Sequence, residues 1–147
     1  MHVRRRAAAL VLSALYVAPA AAFELEPGTW EDTETGTEDG RPMKPTVTTE
    51  CMTPNEAKEP LKEVVAALQA GRAGCRKSEV KSSGNIASIA LVCGDSKESL
   101  IDILATVQFI DRKNMILTNR STIVLGGRKA VSETKTVSRW VSAKCGK

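Results

Sequence analysis

Apolar and polar positions alternate along most of this chain, and one stretch breaks the alternation. In Leu100–Ile110, Ile101, Ile103, Ala105, Val107 and Phe109 make one apolar face. Asp102, Thr106 and Gln108 lie opposite, with Leu104 intruding among them. Period two is the signature of a strand with one face buried. Similar patterns run through Arg76–Ser82, Ile86–Cys93, Met115–Leu125 and Val131–Ser142, separated by Ser83-Gly84-Asn85, Asp111–Asn114 and the Gly126-Gly127 loop. Before them, Thr29–Thr35 and Thr46–Cys51 have strand composition, and Gly36–Pro45 between them reads as a loop.

The interruption lies between Thr53 and Gly71. Thr53 can cap, Pro54 suits the first helical position, and Glu56 completes a Thr-x-x-Glu capping box. Ala57, Leu61, Val64, Val65 and Leu68 recur at helical spacing, and Gly71 can close the helix in the left-handed conformation. Pro60 lacks an amide hydrogen and crowds the preceding turn, so a break is expected near Glu59. The pattern predicts an α+β fold. Its main part is an antiparallel β meander, strongly curved or a partial barrel, with one helix after the second strand and two disulfides.

The first 22 residues do not fit this pattern. Arg4, Arg5 and Arg6 precede an apolar run from Ala7 to Ala18, then Pro19 and Ala20-Ala21-Ala22. That is the layout of a secretory signal peptide, with a cut expected near Ala22 and a single domain over 23–147. The apolar run is shorter than the roughly 20 residues that span a bilayer. The arginines lack the flanks of a twin-arginine signal, and no cysteine stands at the cut to take a lipid. The charge picture changes with the cut. The whole chain carries +4, but three of its basic residues leave with the signal, so the remainder stands at +1. No clustered positive charge remains to suit nucleic acid.

Cys51, Cys75, Cys93 and Cys145 are an even set, and an oxidising compartment favours their pairing. Counting outward from a three-residue loop at Ser83–Asn85, Ser82 faces Ile86 and Cys75 faces Cys93. Cys51 is then left to Cys145. Chain entropy gives about 3 kcal/mol for the short bridge and roughly 4–5 kcal/mol for the long one. Zinc or dithiol chemistry wants a Cys-x-x-Cys pair, which is missing. The only histidine is His2, so a cysteine or serine nucleophile would have no imidazole base after the cut.

Several of these residues resemble one family as an ordered set. Pro27-Gly28-x-Trp30-Glu31 is followed by Cys51-x-Thr53-Pro54, Cys75, Ser83-Gly84-Asn85, Cys93 and a cysteine close to the end. The order is similar to that of the small exported bacterial proteins called domain of unknown function 3617. The resemblance implies an exported, disulfide-bearing β domain, and it brings no activity or catalytic residues with it.

Trp30 and Trp140, on the first and last strands, are candidates for a ligand groove or for the core. Glu31 and Asp32 point to opposite strand faces and cannot share a site. The acids of Glu31–Asp39 do not match a calcium loop. Arg128, Lys129, Lys135, Arg139 and Lys144 are spread over strand and loop as ordinary exposed charge. The expectation is therefore a soluble periplasmic or secreted domain that is not an enzyme. It would need no cofactor or metal and would have a binding or envelope-associated role. Its partner would be a protein or a small apolar ligand, without nucleic acid or stable membrane insertion. One rival is a secreted inhibitor of a hydrolase, a lysozyme or protease, acting through Gly36–Pro45. Another is a thiol-dependent enzyme using Cys51.

Overall fold

The computed structural model describes residues 23–72, 74–96 and 99–146. The signal segment and its cut lie outside the described residues. The elements are β1 (Gly28–Glu38), β2 (Arg41–Pro42), β3 (Thr46–Met52), α1 (Pro54–Lys58), α2 (Pro60–Gln69), β4 (Cys75–Ser83), β5 (Ile86–Ser96), β6 (Ser99–Asp111), β7 (Asn114–Leu125) and β8 (Arg128–Ser142). The strands form one antiparallel sheet in the order β2-β1-β8-β7-β6-β5-β4, with β3 also paired to β1. The sheet is open: β4 is one edge, and β2 and β3 share the other.

The helical segment follows the third strand rather than the second. The cause lies in Gly36–Pro45, which is not all loop. β1 runs on to Glu38, turns at Asp39-Gly40 and pairs Glu38 with Arg41 and Thr37 with Pro42. Both turn residues have positive φ, 48° and 77°, as a tight two-residue hairpin requires. Asp39 also holds β8: its N–H donates to the Val131 carbonyl, and its Oδ1 accepts from Val131 N–H, both at 2.8 Å.

The helix divides where Pro60 stands. Thr53 caps α1, with its Oγ1 accepting from Glu56 N–H and Glu56 Oε2 accepting from Thr53 N–H. Pro60 then occupies the first turn of α2, where its missing N–H costs nothing. Pro60, Val64 and Leu68 are buried against the sheet. Beneath them lies the alternation seen in the sequence. Ala87, Ile89, Leu91 and Cys93 of β5 and Ile103, Ala105, Val107 and Phe109 of β6 are all buried, joined by Leu25 and Trp30.

At β4–β5 the structure differs from the expected loop in an instructive way. Ser83 pairs with Ile86, so the turn has two residues, Gly84-Asn85, with Gly84 at φ 59°. That shifts the ladder by one residue from the three-residue count. The shift is undone by a register change between Cys75 and Lys77, which brings Cys75 opposite Cys93.

Candidate functional site

The disulfides join Cys75 to Cys93 and Cys51 to Cys145, and no described cysteine is free. Cys93 is buried, whereas Cys51 and Cys145 are exposed. Cys51 therefore has no thiol to act as a nucleophile. Trp30 and Trp140 are register partners on β1 and β8. Trp30 is a core residue, 2% exposed, and its Nε1–H donates to the Glu26 carbonyl at 2.9 Å. Trp140 is half-buried, donates to the Pro27 carbonyl at 3.0 Å, and carries Lys113 Nζ 4.3 Å above its ring. Both indoles pin the segment Glu26-Pro27 that leads into β1.

The more telling geometry surrounds α2. The helix α2 lines one depression with edge strand β4 and another with edge strand β3. The helix in turn divides the inner face into two recesses of opposite character.

On the β4 side lies a groove of about 590 Å³. Phe23, Leu61, Val65, Val80, Ile86 and Phe109 give it an apolar lining. The Phe23 ring stacks on Phe109 with centroids 4.9 Å apart. Val80 and Ile86 are 40% and 42% exposed, which is high for large apolar side chains beside a core. The charged lining residues are Lys58, Glu59 and Lys62, along the helical rim. Lys62 Nζ is 3.1 Å from Glu59 Oε2, and that pairing raises the lysine's proton affinity.

On the β3 side the recess is acidic. Asp32 and Glu34 of β1, Glu50 of β3 and Glu63 of α2 line a cleft of about 350 Å³ with Met52, Met115 and Leu117. Asp32 Oδ1 is shielded from solvent and has no hydrogen-bond partner among the described residues. Its sequence neighbour Glu31 faces the other way and pairs with Arg139 at 2.8 Å. Among the described residues, no three His, Cys, Asp or Glu side chains are grouped to hold a metal ion.

Neither recess was among the sequence-derived candidates. The apolar stripe of the helix held a signal for the groove. It runs from Val64 and Leu68 round to Leu61 and Val65, wider than the sheet beneath it needs. The cleft was signalled by the even-numbered acids of β1, which share Trp30's face of the strand.

Taken together, these features define a disulfide-stapled, open antiparallel sheet packed against a helix pair. Residues 25–145 match the model of the family DUF3617, described as a protein of unknown function, and the chain belongs to that family. Comparison with curated proteins and with solved structures found no match. No described helix is long and apolar enough to cross a membrane.

Proposed function

We propose that the protein is an exported, non-catalytic binding domain whose α2–β4 groove receives a small apolar ligand. The groove carries this reading. Its volume lies in the range of small-molecule sites, and it leaves Val80, the register partner of buried Ile89, partly in water although a core is at hand. Export is supported by the N-terminal sequence and by two disulfides, which persist in oxidising compartments.

The test is fluorescence of N-phenyl-1-naphthylamine, a neutral dye that brightens in apolar sites. The expected result is saturable enhancement with one site per chain, lost in Val80→Glu. Val80 lies on an edge strand and is partly exposed, so the variant should keep the thermal midpoint of the parent. No enhancement, or enhancement unchanged in Val80→Glu, would sink the proposal.

A second reading, a secreted inhibitor of a hydrolase, draws on the β1–β2 hairpin. Its exposed tip is pinned to Val131 by two hydrogen bonds, and a preordered loop loses little entropy on binding. Stoichiometric capture of a lysozyme or protease from envelope extract, lost in Asp39→Ala, would favour it.

A further inference from the structure

We infer that the groove is specific for a single-chain amphiphile with an anionic head, of the fatty-acid type, and that the head sits at the N-terminal end of α2. This rests on the groove being a binding site and adds the chemistry and polarity of its occupant.

The groove follows the whole of α2, from Lys58 and Pro60 to Gln69. Ten helical residues are about 15 Å long. An extended chain advances about 1.2 Å per bond, so the groove matches roughly a dozen atoms in line. Apolar side chains line this length, as an acyl chain requires.

The charge lies at one end. Lys58 has no ion-pair partner among the described residues, while Glu59, the one acid in the lining, is engaged by Lys62. No side chain caps the N-terminus of α2 by a hydrogen bond, but Glu59 is its N-cap residue and Glu63 stands in its first turn, so its positive dipole end is already offset and Lys58 is the cation left for a head group. Phe23, which follows the expected cut, lies nearby. Leu25 N–H donates to the Ala57 carbonyl at 2.8 Å, which places Phe23 beside the Lys58 end with its ring against Phe109. Cleavage after Ala22 would put an α-ammonium on Phe23 at this same end. Such processing would add a second cation beside Lys58. A carboxylate head gains from Lys58 and from that α-ammonium, and a quaternary ammonium head is repelled by them.

The experiment is displacement of N-phenyl-1-naphthylamine from the exported chain, disulfides intact, by laurate and by dodecyltrimethylammonium below their micellar concentrations. Laurate should bind at least tenfold more tightly. Affinity from octanoate to laurate should rise about fourfold per methylene, as burial of each CH₂ predicts, and level off beyond laurate. Lys58→Glu should cut the preference for laurate over dodecyltrimethylammonium at least fivefold, each affinity being measured on the variant itself. Nα-acetylation of Phe23 should cut it by a smaller factor.

Equal affinity for the two heads, or a preference unmoved by Lys58→Glu, would overturn the inference while leaving the groove reading intact. Displacement by neither amphiphile, together with absent dye binding, would overturn both. Sedimentation with phosphatidylglycerol vesicles without laurate binding would replace the free amphiphile with a membrane surface and likewise overturn it.

Discussion

The two flanks of α2 are built from the same helix and the same sheet, yet one is apolar and the other acidic. The difference follows from which strands lie opposite. Toward β4, the inner face is supplied by β5 and β6, whose alternation is complete from Ala87 to Phe109. Toward β3, it is supplied by β1 and β3, whose inward positions after Trp30 are Asp32 and Glu34, with Glu50 opposite Trp30. The hydrophobic core therefore ends partway across the sheet. Where it ends, covalent and polar devices take over: the Cys51–Cys145 bridge, the two indole hydrogen bonds and the Asp39–Val131 pair. The β4 flank is held by burial together with the Cys75–Cys93 bridge, and the β3 flank more by fastening than by burial.

That contrast can be tested from either flank. The largest effect is expected at the fastened side. The pair Cys51→Ser and Cys145→Ser should lower unfolding free energy by roughly 4–5 kcal/mol in denaturant titration. A loss under about 1 kcal/mol would mean that burial alone holds β3 and β8.

Next comes the shared anchor. Leu68→Ala should cost about 2–5 kcal/mol by opening a cavity under α2, and it should weaken dye binding as well. Thr53→Ala should cost about 1 kcal/mol through loss of the helix cap.

The cap also carries a pH signature. Thr53 backbone and side-chain hydrogen bonds hold the Glu56 carboxyl below its usual value, and the Lys113 N–H does the same for Asp111. A carboxylate with a lowered folded value contributes stability above its unfolded value, near pH 4. That contribution disappears as pH falls through the folded value. Glu56→Gln should flatten this part of the acid titration, measured by thermal midpoint against pH.

The smallest effect belongs to the acidic flank. Glu34→Gln or Glu50→Gln should raise the thermal midpoint by about 1–2 °C at low salt and by less at 0.5 M salt, because like charges are relieved and salt screens them. A drop in the midpoint would show that these acids are paired productively.

The sequence exposed what depends on near neighbours. The capping box at Thr53, the division at Pro60 and the faces of Glu31 and Asp32 all follow from spacing. The cysteine partners were legible for a less secure reason. Counting from a three-residue loop put Cys75 opposite Cys93. The real turn has two residues, and a register change near the cysteines restores the pairing. Two one-residue differences cancelled. β2 escaped notice because Pro42 and the flanking glycines mask a two-residue pairing that depends on β1 running on to Glu38. The recesses were signalled only by the helix stripe and the even-numbered acids of β1, and their place was not legible for a deeper reason. They depend on where α2 lies across the sheet, and that is set by contacts far apart in the chain.

The long bridge also has a mechanical consequence. Cys51 and Cys145 close a covalent ring with a sequence separation of 94, and Phe23 lies outside it. A force applied between Phe23 and Gly146 would bypass nearly everything between the cysteines. Only the segment before Cys51 could be paid out, at most roughly 100 Å of extended chain. To release it, β1 would have to slide from between β3, which pairs with it over Gly28–Glu34, and β8, which pairs with it over Thr29–Glu38. Under tension, an oxidised molecule would behave as a short tether fixed to a closed loop, and only reduction would let the rest of the chain lengthen.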